Sequence, residues 1–557
     1  MRAPLRCSVA AVLLIAVGVA PWVSGAGKPV TLTVLFTSDM HARVAAFDDV
    51  RQAPSRGSIA QVASLVARVR SDSPPTVVLD GGDAISGAPL AHYALVDPDP
   101  ALADPTVTAM NLVGYDAGVL GNHEFDYGVQ PLRRAISQSR FPWLAANLDG
   151  TTAAGLAVGG SVVLRRGGLR VAVLGLATPA TPQWVGTERT AGLSFRDPVE
   201  EARTRLEALR SRADLVIVVL HAGFERDLET GRANDSAGEN YAWRLAQLPG
   251  IDLLLTGHTH RDIAPRALGK TVVAPPGRWA EKVSRVDIVV ERRDGRWTVT
   301  GWRGENLLVA GEAEDPRVMA ATALRRAAVH RELARPLGCL ERPLAFGGVA
   351  TSDDAAMDLV HAVQLEASSA ELSLASPLAG ARIEFAAGAL TPRLAHALYP
   401  YANTLAVVRL DGRQLRDVLE HAQRGFTGVE CGASPPCTLL RDPDVPPYGF
   451  DTLQGATYVV DPTRPAGARI VDLRIAGAPI DDSRGFTVAI NSYRAAGGGD
   501  FPHLATAPRV ARIDTPMVDL LVAHFERQRD ISPAADGNWW LTLPFGQRVA
   551  DRPPAAR

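Results

Sequence analysis

Five short clusters of polar residues in the first half of the chain could bind metal ions. Each cluster directly follows an apolar run, and together they hold five of the twelve histidines in the sequence. The clusters are Asp39-Met40-His41, Gly82-Asp83, Gly121-Asn122-His123-Glu124-Phe125-Asp126, His221, and Gly257-His258-Thr259-His260. A single histidine at a strand end is more often a hydrogen-bonded structural residue than a metal ligand. The recurrence of the pattern therefore indicates one shared site.

The elements that must position these clusters are predicted strands. The apolar runs alternate with helical patterns, which is typical of an α/β arrangement. They extend from Leu32 to Phe36, Thr76 to Leu79, Ala117 to Leu120, Leu215 to Leu220 and Ile251 to Leu255. The loops at the carboxyl ends of strands in an open α/β sheet converge on one crevice. We therefore expect the five clusters to meet there.

Four of the clusters also carry a recognisable signature. The motifs DMH (39–41), GD (82–83), GNHE (121–124) and GHTH (257–260) resemble, in this order, the calcineurin-like metallophosphoesterases. The segment GNHEFDYG (121–128) and later segments resemble the secreted 5'-nucleotidase superfamily over nearly the whole chain. The resemblance implies an α/β protein with a four-layer N-terminal metallophosphoesterase domain, a β-sandwich flanked by helices. A second α/β domain that binds substrate would follow it.

By this resemblance the site holds two divalent metal ions, with Asp83 as the bridging carboxylate. Two such ions, about 3.5–4 Å apart, clamp the attacking and leaving oxygens of an in-line displacement. Ligands with N and O donors suit zinc, manganese or similar ions. The remaining implied ligands are Asp39, His41 and His260 for one ion, and Asn122, His221 and His258 for the other.

His123 follows an implied ligand but resembles a catalytic group of the family, which donates to the phosphate oxygens or to the leaving group. Asp126 resembles its orienting partner. A carboxylate bonded to the imidazole favours the charged form that such a donor needs. The alternative is that Asp126 only caps the next turn. Asp80 and Glu124, which lie inside the motifs, are expected to support neighbouring groups or the fold.

Two aromatic residues of the second half fall at positions where the family stacks a nucleobase. They are Phe450, in YGFD (448–451), and Tyr493, in NSYRAAGGGDF (491–501). Two facing rings would hold any base with little discrimination, at roughly 1–3 kcal/mol per stacked base. The alternative is that both rings fill the hydrophobic core.

The choice between branches of the superfamily depends on three segments. The segment ASPLA (375–379) occupies the place where the 5'-nucleotidase branch usually carries a Gly-Gly-Ile-Arg-like loop. Arg382 either substitutes for the arginine of that loop or is a solvated loop residue. PGRWA (276–280) and SYRA (492–495) look more like the 2',3'-cyclic-nucleotide 2'-phosphodiesterase/3'-nucleotidase branch. The resemblance thus favours an enzyme that hydrolyses these nucleotides in nucleotide catabolism and in phosphate or nucleoside scavenging. A 5'-nucleotidase or UDP-sugar hydrolase is the alternative.

Two further function classes remain. One is a metal-dependent hydrolase that acts on a sulfur or sugar ester. The other is a binding protein with an inactive metallophosphoesterase domain, which is disfavoured because every implied ligand and the pair His123 and Asp126 are present.

The length of 557 residues predicts two domains, since single cores seldom organise so long a chain. We expect a metallophosphoesterase domain over 30–310, a linking helix over 311–336, a substrate-binding domain over 337–545 and a tail over 546–557. The linking helix follows from the helical spacing of Ala, Arg and Leu between Asp315 and Arg335. The second domain is expected to have no cluster of metal ligands.

The charge balance and the N-terminus predict the partners and the location. The chain has 58 basic and 60 acidic residues, so it lacks the overall positive charge that favours binding of long nucleic acids. Binding of a small nucleotide is compatible with this charge balance. Residues 1–26 resemble a signal peptide, because Arg2 and Arg6 precede an apolar run from Val9 to Ala20. The alternative is an uncleaved membrane anchor, but the apolar run is shorter than the roughly 20 residues of a membrane span. The sequence predicts export to the periplasm, cell surface or medium, no membrane span in the mature protein, and no particular oligomeric state.

Cysteine usage fits an exported protein. Cys431 and Cys437 flank a Gly-Ala-Ser-Pro-Pro turn, where a disulfide would suit an oxidising compartment. The alternative is a pair of free thiols. The spacing of the cysteines resembles no zinc site, so sulfur is not expected to bind the metals.

Overall fold

The computed structural model describes residues 28–73, 75–96, 102–233, 238–293, 295–349, 351–431, 437–442 and 445–543. The predicted signal peptide (1–26) and the predicted tail (546–557) lie outside these residues.

Seven strands form the first sheet of the N-terminal half. In spatial order they are Arg296–Leu308, Lys282–Arg293, Val30–Thr37, Thr76–Asp80, Ala117–Val119, Trp143–Leu144 and Val158–Gly159. The last five run parallel to one another. Their carboxyl ends therefore lie at the same edge of the sheet.

Six strands form the second sheet. In spatial order they are Arg266–Leu268, Thr271–Ala274, Leu253–Thr256, Leu215–His221, Leu169–Ala177 and Ser161–Arg166. The four central strands are parallel. The two sheets pack face to face through a buried apolar layer, to which Phe36 and Val119 contribute from one side and Ile217 and Leu255 from the other.

Helices cover the outer faces of both sheets. The first sheet packs against Ile59–Asp72, Pro89–Val96, Pro105–Val113 and Val129–Gln138, and the second packs against Pro198–Arg212 and Ala242–Ala246. Along the first strand, Val34 faces the other sheet and Leu35 faces the helices. Because both faces are buried, the strands appear in the sequence as uninterrupted apolar runs. The predicted four-layer α/β arrangement is confirmed.

Three helices begin with the same Asp-Pro pair. Asp104, Asp197 and Asp315 each cap a helix by accepting backbone N–H bonds, and the following proline occupies the first turn. Proline is suited to that position because its missing N–H would have no partner there. Such a cap contributes about 1 kcal/mol to helix stability.

The segment in which the sequence predicts one linking helix consists of two helices, Pro316–Ala321 and Ala323–Leu333. They meet at Thr322, whose hydroxyl donates a hydrogen bond of 2.8 Å to the carbonyl of Val318. Val318, Val329 and Leu333 pack into the helical layer of the first sheet. The segment therefore belongs to the packing of the N-terminal half rather than spanning solvent.

The second half contains two larger sheets. The strands Thr452–Gln454, Leu372–Ala375, Gly485–Asn491, Leu405–Asp411 and Arg509–Ile513 form one, and Ala478–Pro479, Ile470–Ile475, Ala456–Val460 and Trp539–Leu541 form the other. The strands Gly388–Leu390, Gly338–Leu340 and Asp530–Ile531 form a third, smaller sheet. The helices of this half are Ala355–Ser368, Pro392–Leu398, Gly412–Ala422, Ser492–Ala495 and Met517–Gln528.

Polar contacts join the two halves. Nη1 of Arg189 donates to the carbonyl of Ala402 at 3.0 Å, and Nε2 of His92 lies 3.0 Å from Oδ1 of Asp519. Cys431 and Cys437 form a disulfide within the second half. No helix among the described residues is long and apolar enough to cross a membrane.

Candidate metal centre

The five polar clusters lie together at the carboxyl ends of strands from both sheets. Asp39, His41 and Asp83 follow strands of the first sheet, while His258 and His260 follow a strand of the second. All five of these residues have positive φ angles, between 47° and 71°. Non-glycine residues seldom adopt this conformation, which costs on the order of 1–3 kcal/mol each and concentrates at functional sites. The strain indicates that these residues adopt this backbone conformation because of the direction it gives their side chains, and not because it stabilises the fold.

The first group of donor atoms comprises Asp39, His41 and His260. Nε2 of His41 lies 3.0 Å from Nε2 of His260, which is 3.4 Å from Oδ1 of Asp39. Nδ1 of His41 is 3.0 Å from the carbonyl of Ser86, which holds the proton on Nδ1 and leaves Nε2 with a free lone pair. The group is a ready set of one carboxylate and two imidazole donors.

The second group comprises Asp83, His221 and His258. Nε2 of His221 is 3.1 Å from Oδ2 of Asp83, and Nδ1 of His221 is 2.7 Å from the carbonyl of Gly81. Oδ1 of Asn122 lies between the two rings, 3.2 Å from Nε2 of His221 and 3.0 Å from Nδ1 of His258. The structure thus brings together all seven ligand positions that the resemblance implies, in the two predicted sets.

The donor sets fit divalent ions. Atoms bonded to one ion at about 2.0–2.2 Å must lie roughly 3 Å apart, and the distances given above for both groups are 3.0–3.4 Å. Burial and the neighbouring His260 lower the pKa of His41 to about 4. Burial and the neighbouring His221 lower the pKa of His258 to about 3. Both rings are therefore neutral and keep an unprotonated nitrogen for a cation.

Several neighbours hold the donors in place. The buried Glu124 carboxylate accepts the backbone N–H groups of Asp83, Ala84 and Gly121 at 2.7–2.8 Å. Burial raises the pKa of Asp80, whose carboxylate accepts the Thr37 hydroxyl. A Cβ at Gly121 would lie 2.2 Å from Oδ1 of Asp83, so only glycine permits this approach. The expected supporting role of Asp80 and Glu124 agrees with these contacts.

His123 stands beside the donor groups on a short 3₁₀ helix, His123–Phe125. Its Nδ1 is 2.9 Å from Oδ2 of Asp126, and that oxygen also accepts the Ser86 hydroxyl at 2.5 Å. Burial by itself would lower the pKa of His123, but the carboxylates of Asp126 and Asp83 outweigh it and raise the pKa to about 10. The ring is a cationic donor whose Nε2 remains available to a ligand.

A cavity of about 1020 Å³ opens beside these residues, between the two halves of the chain. Its wall includes His41, His123 and His260 from the first half and Tyr401 and Tyr448 from the second. A volume of this size accommodates a ligand of several hundred Å³.

The prediction that the ring of Phe450 stacks a base is wrong in this structure. Phe450 is 1% exposed and packs against Phe426, with ring centroids 5.0 Å apart, in the core of the second half. Tyr448, two residues earlier, is 39% exposed and lines the cavity. A fully buried ring cannot contact a base, so the alternative interpretation of Phe450 as a core residue applies.

Tyr493 is half-buried on the helix Ser492–Ala495, and its ring lies against Gly498. Burial raises the pKa of Tyr493, and the neighbouring Tyr448 and Glu239 add to this rise. Tyr493 is not among the residues that line the cavity, but the guanidinium carbon of Arg494 lies 5.5 Å from the centroid of its ring.

Arg494 is the residue that connects the two tyrosine segments, and the sequence analysis did not single it out. Its Nε and Nη2 donate to the Asp451 carboxylate at 2.9 and 2.7 Å, in a pair that is almost fully buried. Nη1 donates to the carbonyl of Gly498 at 2.8 Å, and Nη2 also donates to the carbonyl of Tyr448. The arginine thus binds the loop that carries Tyr448 to the loop after Tyr493.

Replacing Arg494 with methionine is expected to lower the free energy of unfolding by about 3–5 kcal/mol, because the Asp451 carboxylate would remain buried without its partner. Urea denaturation followed by tryptophan fluorescence measures the change. Arg474 pairs with Asp472 at the surface, so Arg474→Met is the matched control and should cost no more than about 1 kcal/mol. Equal losses in the two variants would contradict the structural role of Arg494.

Two other predictions about the second half concern Arg382 and metal ligands. Ala381 and Ile383 line the cavity, whereas Arg382 is not among its lining residues, so a role of Arg382 in place of the missing arginine stays a prediction. The expectation that this half has no cluster of metal ligands stays a prediction, although the fold brings three acidic residues together. Carboxylate oxygens of Asp353, Asp358 and Asp536 lie within 4.8 Å of one another.

Comparisons with known proteins agree with this geometry. Residues 32–262 match the family model of the calcineurin-like phosphoesterases, and residues 337–506 match that of the 5'-nucleotidase C-terminal domain. A 2',3'-cyclic-nucleotide 2'-phosphodiesterase/3'-nucleotidase from Salmonella typhimurium is 28% identical, over 92% of this chain and 89% of the relative. The trifunctional nucleotide phosphoesterase protein YfkN of Bacillus subtilis is 27% identical over 94% of this chain, which spans only 40% of its length.

A solved structure shows the same fold. The crystal structure of a Staphylococcus aureus protein assigned as a 5'-nucleotidase is similar with a TM-score of 0.80 at 24% identity. The similarity covers 92% of this chain and 99% of that one.

Proposed function

The chain belongs to the family that joins a calcineurin-like phosphoesterase domain to a 5'-nucleotidase C-terminal domain, and we propose that it is a metal-dependent nucleotide phosphohydrolase. Members of this family are hydrolases of phosphoric esters. The observation that carries the proposal is the pair of adjoining donor groups beside His123, at the wall of a cavity that both halves form. We favour the 2',3'-cyclic-nucleotide 2'-phosphodiesterase/3'-nucleotidase activity.

Asp39, His41 and His260 would hold one divalent ion, and Asn122, His221 and His258 the other, with Asp83 as the bridge. Two divalent ions, when bound, supply an activated water nucleophile and offset the charge of the phosphoryl group. Zinc and manganese suit these donors. Burial opposes protonation of His221, but the Asp83 carboxylate raises its pKa to about 9, so ion binding there would displace a proton.

His123 would donate from Nε2 to a phosphoryl oxygen or to the departing ester oxygen. Asp126 holds the ring through Nδ1, and Ser86 in turn holds Asp126, so the donor is oriented before substrate arrives. A fixed cationic donor stabilises the charge that develops on the leaving oxygen. For a cyclic diester, a second round on the monoester would release nucleoside and phosphate.

Tyr448 and Tyr493 would hold the nucleobase between them. Tyr448 lines the cavity, and Arg494 binds the loop of Tyr448 to the loop that follows Tyr493. Stacking between aromatic rings accepts every base because every base has a π face. Tyr493 is retained from the sequence-based hypothesis, and Tyr448 replaces Phe450.

Replacing Tyr448 with alanine is expected to raise the KM for 3'-AMP about tenfold, because a stacked ring contributes about 1–3 kcal/mol. Tyr493→Ala should have a similar effect. The KM for p-nitrophenyl phosphate, which carries no base, should change less than about twofold. Steady-state kinetics of both substrates at one metal concentration make the comparison.

Phe450→Leu is the matched control. It should lower the free energy of unfolding by about 1–3 kcal/mol and leave the ratio of the two KM values unchanged. If the KM for 3'-AMP rose in Phe450→Leu but did not change in Tyr448→Ala, Phe450 rather than Tyr448 would be the residue that contacts the base.

The substrate assignment is tested by comparing 2',3'-cyclic AMP, 3'-AMP and 5'-AMP with the same metal-loaded protein. We expect the highest kcat/KM for the first two. A preference for 5'-AMP would assign the chain to the 5'-nucleotidases instead, and hydrolysis of UDP-glucose alone would indicate a UDP-sugar hydrolase.

We also propose that the protein is exported after removal of residues 1–26, and that its domains extend over 30–310 and 337–545. An N-terminus near residue 27 in protein recovered from the periplasm or medium would support export, and an intact Met1 there would contradict the cleavage.

A further inference from the structure

Arg278 lies beside the first donor group and faces the cavity. Its side chain is exposed, and its Nη1 is 3.2 Å from Nδ1 of His260. Burial raises the pKa of Tyr401 and of Tyr448, and the nearby Arg278 opposes this rise in both. Arg278, His260 and both tyrosines line the same cavity, so the guanidinium lies at a wall that the metal-binding residues of one half share with the tyrosines of the other.

The loop that carries Arg278 is held in a strained conformation. Trp279 and Ala280 have φ angles of 59° and 55°, although neither is glycine. The Trp279 N–H donates to the carbonyl of Asp39 at 2.7 Å, and a Cβ at Gly57 would lie 2.1 Å from the Ala280 carbonyl oxygen. The guanidinium lies 3.9 Å above the Trp279 ring, which orients its plane. The loop thus fixes the arginine relative to Asp39.

The hydrogen bond from Arg278 to His260 is incompatible with an ion on Nε2 of His260. When Nε2 binds an ion, the proton of the neutral ring must be on Nδ1. Nδ1 and Nη1 would then both be donors, 3.2 Å apart, with no acceptor between them. Within the described ranges Arg278 has no carboxylate at ion-pair distance. The loaded site therefore leaves this guanidinium in need of an anionic acceptor.

Two of the other arginines at the cavity wall are already engaged. Arg43 pairs with Asp48 at 3.1 Å, and Arg326 donates to the Thr322 hydroxyl and to the Met319 carbonyl. A phosphoryl group would meet this need, since phosphate offers several oxygens to the planar fork of a guanidinium.

We propose that Arg278 is a substrate-binding residue that contacts the phosphoryl group beside the metal-binding residues and favours dianionic phosphate monoesters over monoanionic diesters. The inference rests on the proposed function only in that the ligand is a phosphate ester at this site. It requires no particular base or sugar, and it predicts that the monoester step of a two-step hydrolysis depends more on Arg278 than the diester step.

The test uses the full-length, metal-loaded protein and inorganic phosphate as the probe. In calorimetric titration, Arg278→Ala should raise the Kd of phosphate about tenfold, the scale of one charge-assisted contact, while the metal content stays the same. Arg278→Lys should recover part of the affinity because it keeps the charge but not the fork. Arg51 also lines the cavity, so Arg51→Ala is the matched control and should shift the Kd less than about twofold.

A second measurement compares p-nitrophenyl phosphate with bis(p-nitrophenyl) phosphate. Arg278→Ala should raise the KM of the dianionic monoester several times more than that of the monoanionic diester. An unchanged Kd for phosphate, an equal effect of Arg51→Ala, or a loss of metal in Arg278→Ala would overturn the proposal. Arg278-dependent phosphate binding in a protein that hydrolyses no nucleotide would sink the proposed function and leave this inference standing.

Discussion

Replacing Asp83 with alanine should remove at least one of the two metal ions and lower phosphate release by about a hundred- to a thousandfold. Asp83 is 1% exposed, and its two oxygens contact different groups: Oδ2 lies 3.1 Å from Nε2 of His221, and Oδ1 accepts the His123 backbone N–H at 2.8 Å. Without this carboxylate, only Asp39 among the donor groups would offset the repulsion between the two ions. Elemental analysis of the dialysed protein, beside a phosphate-release assay with 3'-AMP, measures both effects.

The control for this variant is Asp536→Ala, which removes a carboxylate of the acidic group in the second half. That variant should keep both ions and its activity. If Asp83→Ala still bound two ions per chain, or if Asp536→Ala lost them, the metals would be at another place than the one proposed.

Replacing His123 with alanine should lower kcat by about a hundred- to ten-thousandfold, as is usual for the loss of a general acid. Both ions should remain bound, because the His123 ring is hydrogen-bonded to the Asp126 carboxylate and not to a residue of either donor group. The KM for 3'-AMP should change much less than kcat, since the donor acts on charge that develops only in the transition state. Steady-state kinetics and elemental analysis of the same preparation separate these effects.

His503→Ala is a fitting comparison for His123→Ala. His503 also bonds an aspartate, with Nε2 2.9 Å from Oδ2 of Asp417, but it is a partly exposed residue of the second half. Its loss should leave kcat unchanged. Loss of bound metal in His123→Ala would show that His123 is a ligand and not the donor.

Much of the N-terminal site could be predicted from the sequence because short local patterns, apolar strands followed by polar residues, determine it. Runs such as Leu215 to Leu220 are apolar at every position because both faces of their strands are buried. Polar residues at the ends of parallel strands must then converge. Which donors share an ion depended on the family resemblance, since neither burial nor periodicity distinguishes His258 from His260.

The base-binding residues show where sequence reasoning fails. Tyr448 and Phe450 are both aromatic and two residues apart, but Tyr448 lies on the 3₁₀ helix Pro447–Gly449 and Phe450 is the residue that follows the end of that helix. Phe450 enters the core against Phe426, and Tyr448 faces the cavity. The distinction comes from packing against residues distant in the chain, which no local pattern contains.

Long-range assembly accounts for the remaining differences. Asp353, Asp358 and Asp536 belong to segments nearly two hundred residues apart, and only the fold brings them together. The positive φ angles of Asp39 and His258 have no sequence signal either, because the residues that adopt them are not glycines. Such strain can be recognised only from the φ angles of the folded backbone.

The most direct test of the two-metal nucleotide hydrolase is a metal titration of chelator-treated protein, with phosphate release from 3'-AMP as the readout. We expect no release from the stripped protein. Activity should return on addition of Mn²⁺ or Zn²⁺ and reach its maximum when two ions are bound per chain. Undiminished release after removal of the metal, or no release with both sites loaded, would contradict the proposed function.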